Sequence, residues 1–112
     1  MAELQTVGPE NWREFVTAPG TAVLVIGKND CEACNSWGEE LTRFLGDDEE
    51  FGEVRFGKVD LKQRGLIDFK KENTWLAGLE ALPHNVIYRD GEIVKQFSGS
   101  GMDRLANRLR RL

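Results

Sequence analysis

Hydrophobic and polar positions along the chain form short apolar runs and stripes of helical period. The apolar run Ala22–Ile26 stops at Gly27 and predicts a buried strand. Four apolar residues after the next polar turn recur at i, i+4, i+7 and i+8: Trp37, Leu41, Phe44 and Leu45. This period predicts an amphipathic helix, which we expect to begin at Cys31.

The chain on both sides of this strand–helix pair predicts further elements. Leu4–Val7 predicts a short edge strand. Asn11, followed three residues later by Glu14, has the spacing of a capping box and predicts a helix start. Val54–Asp60 predicts a third strand.

The segment after the third strand, Leu61–Asn73, is charged and predicts a helical excursion. Its apolar anchors are Leu66, Ile67 and Phe69. A short helix should follow, capped by Asn73 or Thr74, with the apolar residues Trp75, Leu76 and Leu79. Trp75 then either covers a functional site or packs into the core.

Two β-rich runs, Asn85–Arg89 and Glu92–Ser98, flank Asp90-Gly91 and predict a hairpin. A last amphipathic helix is predicted from five apolar residues: Met102, Leu105, Ala106, Leu109 and Leu112. Early βαβ units require parallel strands, and the hairpin adds antiparallel ones. We therefore expect an α/β fold, a mixed sheet of four to five strands with helices on both faces, in a single domain of residues 1–112.

Composition and charge remove several classes of function. The chain is 30% charged with a net charge of −4, which does not favour nucleic acid or anionic membranes as partners. Its apolar runs are far shorter than the roughly 20 residues of a membrane span. The N-terminal stretch has neither a basic leader nor the apolar core of a signal peptide. We expect a cytoplasmic protein.

The two cysteines are the strongest chemical signal. Cys31 and Cys34 stand three positions apart on the first turn of the predicted helix, close enough to bridge. The free N–H groups and the positive dipole end there favour a thiolate on Cys31, whereas Asp30 and Glu32 oppose it. We expect a more reducing couple than in oxidants with basic CxxC motifs. A CxxC motif after a strand is typical of a thioredoxin-like redox site.

The order of elements, the CxxC motif and the late proline before a hairpin resemble the thioredoxin family over nearly the whole chain. In this resemblance Cys31 matches the nucleophilic cysteine and Cys34 the resolving one. Lys58 matches a lysine near the active site, and Leu82-Pro83 matches the apolar residue and cis-proline that face the cysteines. The resemblance implies a monomeric thiol–disulfide oxidoreductase without metal or other cofactor. It would reduce protein disulfides with electrons from a reductase or a thiol pool.

Several positions depart from the family pattern, and the segment between Lys58 and Pro83 is longer than in typical thioredoxins. The replacements are Val25 for a buried aspartate, Asp30 for a tryptophan, Glu32-Ala33 for Gly-Pro, Glu39 for a proline and His84 for a threonine. The family's aspartate is thought to deprotonate the resolving cysteine, so another base would be needed here. Histidine is the residue type whose charge changes near neutral pH, so His84 is the candidate base; the other interpretation is a partly exposed histidine at a strand start.

Two other functions stay open from the sequence. The first is a thioredoxin-fold interaction module whose cysteines are vestigial or only regulatory. The second is metal binding by Cys31, Cys34 and His84. Three ligands are one fewer than a structural zinc site needs, so a dimer would have to supply the fourth.

Overall fold

The computed structural model describes residues 2–112, and Met1, where the predicted domain begins, lies outside them. Helices and strands alternate through the first two thirds of this part of the chain, before a hairpin and a last helix. In chain order the elements are β1 (Leu4–Val7), α1 (Trp12–Thr17), β2 (Thr21–Gly27), α2 (Glu32–Asp47), β3 (Arg55–Asp60), α3 (Ile67–Glu72), a 3₁₀ helix (Thr74–Gly78), β4 (His84–Arg89), β5 (Glu92–Ser98) and α4 (Met102–Arg110). Within residues 2–112, no helix has the length and apolar character to cross a membrane.

The strands form one mixed sheet in the order β1-β3-β2-β4-β5. β3 runs parallel to β1 and β2, whereas β4 runs antiparallel to both β2 and β5. The predicted strand Leu4–Val7 lies at one edge, and the predicted hairpin forms the other edge. Asp90 and Gly91 both have positive φ, 51° and 86°, as a tight two-residue turn requires. The predicted mixed sheet is confirmed.

Helices cover both faces of the sheet, and each face has its own apolar core. Under α1 and α3, the core includes Ala22, Leu24 and Ile26 of β2. Under α2 and α4, it includes Val23 and Val25 of the same strand. Alternate residues of a strand point to opposite faces, so an apolar run fits a strand buried on both sides.

Asn11 stands at the N-cap of α1, but the predicted capping box does not form. Its side chain makes no hydrogen bond to the helix. Instead Oδ1 accepts from the Gly8 backbone N–H at 2.7 Å, and Nδ2 donates to the Thr6 carbonyl at 3.0 Å. The side-chain amide of Asn11 therefore stabilises the loop that joins β1 to α1, and not the start of the helix.

The prediction that Ile67 anchors α3 in the core is wrong. Its side chain is 64% exposed, whereas Leu66 and Phe69 are buried. Residues three apart share one side of a helical segment, and Ile67 is displaced from that side by its position in the turn. Two apolar residues therefore hold this segment to the sheet.

Candidate active site

Cys31 and Cys34 form a disulfide at the N-terminal end of α2. Cys31 is the N-cap residue, and its Sγ accepts a hydrogen bond from the Cys34 backbone N–H at 3.2 Å. Their Cα atoms lie 5.2 Å apart, within the usual range for a disulfide. Both the predicted helix start and the predicted bridging distance are confirmed.

The two sulfurs differ in exposure because α2 turns one of them towards the sheet. Cys31 is partly exposed, whereas Cys34 is only 8% exposed and packs against the end of β2. A Cβ atom on Gly27 would lie 3.0 Å from Cys34 Cβ and 3.1 Å from its Sγ. Gly27 is therefore part of the site, because only a residue without a side chain lets Cys34 approach this closely.

The end of β3 holds the loop that leads to the cysteines. Asp60 Oδ1 accepts from the backbone N–H groups of Asn29, at 3.2 Å, and Lys62, at 2.9 Å. Asp30 forms an exposed ion pair with the Lys62 ammonium at 2.8 Å. The hydrogen bond from Lys62 lowers the pKa of the Asp30 carboxyl. The negative charge beside Cys31 thus has a cationic partner, although solvent weakens such exposed pairs.

The Leu82–Pro83 peptide bond is cis and comes directly before β4. In the antiparallel pairing of β2 with β4, Ile26 lies opposite His84. Continuing that register by one residue sets Pro83 opposite Gly27. Since Gly27 lies against Cys34, the cis-proline segment meets the site at the same end of the sheet.

Lys58 lies on β3 directly opposite Val25 of β2. Its exposed side chain lines a groove of about 910 Å³, which Cys34 also borders together with Glu39 and Arg43 of α2. Within residues 2–112, the ion pairs leave Lys58 without a carboxylate partner. A valine and an unpaired lysine therefore lie side by side where the resemblance implies a carboxylate and a lysine.

His84 is buried, with 7% of its surface exposed. The interpretation of His84 as a partly exposed histidine at a strand start is therefore wrong. Its Nδ1 lies 3.1 Å from Ser98 Oγ, and its Nε2 lies 2.8 Å from Gln96 Oε1. Its ring is 6.0 Å from that of Trp75, and its cross-strand neighbour Ile26 belongs to the core under α1 and α3. The imidazole thus lies on the face opposite α2. Its role as a base stays a prediction that this geometry does not favour.

A metal site formed by Cys31, Cys34 and His84 requires the imidazole to lie beside the two sulfurs. No three His, Cys, Asp or Glu side chains within residues 2–112 are grouped as metal ligands. The structure instead pairs Cys31 with Cys34 and gives the imidazole two other partners. The geometry therefore supports redox chemistry at the two sulfurs.

Asn85 is a buried polar residue that the sequence does not single out. It is 0% exposed, lies opposite Val25, and belongs to the face covered by α2. Its Oδ1 accepts from Trp37 Nε1 at 2.8 Å, and its Nδ2 donates to the carbonyls of Phe97, at 3.2 Å, and Gly99, at 2.8 Å. The sequence offers one sign of this network, which is the amide of Asn85 within an otherwise apolar strand. A buried amide needs hydrogen-bond partners, so such a residue indicates a polar network.

Comparison with solved structures identifies the fold. The chain is similar to a thioredoxin from Malassezia sympodialis, with a TM-score of 0.77 and 17% identity over 99% of this chain and 91% of that chain. It is also similar to thioredoxin f from spinach chloroplast, with a TM-score of 0.76 and 21% identity over 97% and 92%. A chain in the complex of ferredoxin:thioredoxin reductase with thioredoxin f2 matches with a TM-score of 0.76 and 20% identity over 97% and 94%. No protein-family model and no curated protein matches. The chain has the thioredoxin fold, as predicted.

Proposed function

We propose that the protein is a thiol–disulfide oxidoreductase that reduces protein disulfides by dithiol–disulfide exchange. The observation that carries this proposal is the Cys31–Cys34 disulfide at the start of α2, with its unequal exposure. An exposed first sulfur can meet a substrate, and a buried second sulfur can release it. The fold by itself hosts many functions, so the two cysteines carry the argument.

The proposed reaction begins with both cysteines reduced. The Cys31 thiolate attacks one sulfur of the substrate disulfide, and the other substrate sulfur leaves as a thiolate that takes up a proton. Cys34, once deprotonated, attacks Cys31 Sγ in the mixed disulfide and releases the second substrate sulfur. Two electrons pass to the substrate, which ends as two thiols, and the Cys31–Cys34 disulfide forms. The Cys34 backbone N–H, which bonds Cys31 Sγ, favours the attacking thiolate.

We assign supporting roles to Leu82, Pro83 and Lys58. The cis Leu82–Pro83 segment meets the site at the end of β2, where a substrate chain would lie beside the disulfide. Lys58 lines the same groove as Cys34, so its positive charge favours the Cys34 thiolate. Since Val25 cannot accept a proton, the open groove gives the Cys34 proton a path to solvent.

The oxidised protein then needs a reductant to restore its thiols. We propose a reductase or a thiol pool in the cytoplasm, where a monomer of one domain would take part in redox homeostasis. The complex between thioredoxin f2 and ferredoxin:thioredoxin reductase supports a reductase as the kind of partner. A reducing compartment suits a protein whose disulfide must be opened in each cycle. In this proposal the electrons pass through the two cysteine sulfurs alone, and no bound cofactor takes part.

Reduction of a protein with an exposed disulfide, such as insulin, tests the proposal. Cys31→Ser should abolish reduction, because the attacking sulfur is gone. Cys34→Ser should stop turnover and leave a mixed disulfide on Cys31, visible as added mass. Ser36→Ala, an exposed change on the same helix, should leave the rate unchanged. Cysteines that never interconvert between dithiol and disulfide would contradict the proposal and favour an interaction module.

A further inference from the structure

Asn85 makes contacts that the proposed mechanism does not use. It is fully buried, and its amide oxygen and nitrogen are both hydrogen-bonded, to one side chain and two backbone carbonyls. A buried amide is costly unless its bonds are made, so such a network needs a reason beyond filling space. Its partners point to the redox site.

The first partner connects Asn85 to the resolving cysteine. Trp37 follows Cys34 by three residues on α2, so their side chains lie on the same side of that helix. Both are buried against the sheet, and Cys34 rests on Gly27. The hydrogen bond from Trp37 Nε1 to Asn85 Oδ1 therefore holds this first part of α2 against β4, beside the end of β2.

The second partner connects Asn85 to the cis-proline segment. Its Nδ2 donates to the Gly99 carbonyl, and the Gly99 backbone N–H donates to the Pro83 carbonyl at 2.8 Å. Asn85 itself stands two residues after Pro83. One side chain thus ties the helix that carries Cys34 to the segment that meets the site from the other side.

Register connects this network to the missing carboxylate. Asn85 lies directly opposite Val25, the position where the resemblance implies a buried aspartate. The buried polar group of this chain therefore stands on the neighbouring strand, β4, in place of β2. It is an amide, which does not titrate near neutrality, so it can act by position but not by proton transfer.

We propose that Asn85 is a positioning residue of the redox site and acts through Trp37. It holds the first turns of α2 so that Cys34 stays within reach of Cys31. Reacting groups held in place pay less entropy on bonding, so the network favours the disulfide and makes the couple more reducing. This inference rests on the proposed function, because it assigns a role within the same redox couple.

The test is the equilibrium constant for the Cys31–Cys34 disulfide against a dithiol buffer, read by alkylation and mass. Asn85→Leu and Trp37→Phe should each lower this constant about tenfold, a potential less negative by about 30 mV. Trp37→Phe retains an aromatic ring and removes the N–H donor. The double variant should lose no more than Asn85→Leu alone, because the proposed effect acts through the Trp37–Asn85 bond, which each single variant already removes.

Tyr88→Phe is the matched control, since it changes a buried polar residue of β4 on the opposite face and should leave the constant unchanged. A merely structural role would destabilise the oxidised and reduced forms equally. Constants equal to that of the wild type, or additive effects in the double variant, would therefore overturn the proposal. Should Asn85→Leu not fold, Trp37→Phe decides alone.

The same titration separates this inference from the proposed function. A wild-type protein whose cysteines do not equilibrate with the buffer overturns both. A wild-type couple that equilibrates, with variants that match it, overturns only the role of Asn85. Because the titration needs no protein substrate, the shift in Asn85→Leu would support the inference even if insulin were left intact.

Discussion

Asn85 and Tyr88 lie three residues apart on β4, and each buries a polar group on a different face of the sheet. Asn85, opposite Val25 at the redox end, has hydrogen bonds at both amide atoms. Tyr88, opposite Ala22 at the far end, has a buried hydroxyl without a hydrogen-bond partner in the described part of the chain. Burial raises the pKa of Tyr88 to about 12. The buried amide of Asn85, at the end of the sheet that carries the disulfide, is thus fully hydrogen-bonded, whereas the buried hydroxyl of Tyr88, at the far end, is not.

The largest expected effect is the loss of stability in Asn85→Leu. Removing the amide leaves the Trp37 N–H and two carbonyls without their partner, and each unsatisfied buried group costs about 1–3 kcal/mol. We expect the free energy of unfolding of the oxidised protein to fall by about 3 kcal/mol, measured by denaturant titration. In Tyr88→Phe, which removes no hydrogen bond, the free energy of unfolding should not fall. Equal losses in both variants would erase the contrast between the two residues.

The next effect is at Gly27, where the redox end of the sheet is tightest. Gly27→Ala puts a methyl group about 3 Å from the Cys34 side chain, so the disulfide must shift. Overpacking of this kind costs about 1–3 kcal/mol, which denaturant unfolding would show. Gly38→Ala is the matched control, because its Cβ would meet nothing within 4 Å. Replacing this glycine inside α2 should raise the free energy of unfolding of Gly38→Ala by about 0.5–1 kcal/mol. A neutral Gly27→Ala would show that Cys34 is free to move.

The sequence predicts most of the fold because each element has a local signal. The apolar run of β2, the Asp90-Gly91 turn and the CxxC spacing at the start of α2 need only neighbouring residues to be recognised. The Asn85–Trp37 bond joins residues 48 apart in sequence, and only the packing of α2 on β4 creates it. A network of this kind cannot be seen before the register and the covered face are known.

His84 illustrates the same limit from the other side. Strand alternation requires that His84 and Asn85 point to opposite faces, so only one of them can lie under α2. Which one does so depends on the face that α2 covers, and no local pattern states that. The structure gives this place to Asn85, and His84 lies beside Trp75 instead.

A smaller effect is expected at the unbonded hydroxyl of Tyr88. Tyr88→Phe should stabilise the protein by less than about 1 kcal/mol at neutral pH, because a buried hydroxyl without a partner is removed. The raised pKa also sets a pH dependence. Between about 10, the ordinary tyrosine value, and about 12, the unfolded chain loses its proton while the folded chain keeps it. Stability should therefore fall with rising pH in the wild type, without this contribution in Tyr88→Phe.

Ultraviolet absorbance of the phenolate checks that pKa directly, because Tyr88 is the only tyrosine of the sequence. Titration near 10 in the folded protein would mean that the hydroxyl reaches water, and the contrast with Asn85 would then weaken. Unfolding in denaturant, repeated at pH 8 and about pH 11, supplies the second measurement.

The smallest effect is expected at the exposed pair of Asp30 and Lys62, beside the disulfide but in solvent. Lys62→Gln leaves the Asp30 charge uncompensated, which should slow alkylation of Cys31 in the reduced protein at neutral pH and low salt. Because the pKa of Asp30 is lowered in the folded protein, the ion pair stabilises the fold at a pH above the ordinary carboxyl pKa near 4. This contribution is lost as the pH falls through the lower pKa of the folded state. The difference in alkylation should shrink in high salt, since exposed charges are screened. Lys71→Gln on α3 is the control, and an equal effect there would mean that net charge, and not this ion pair, acts on Cys31.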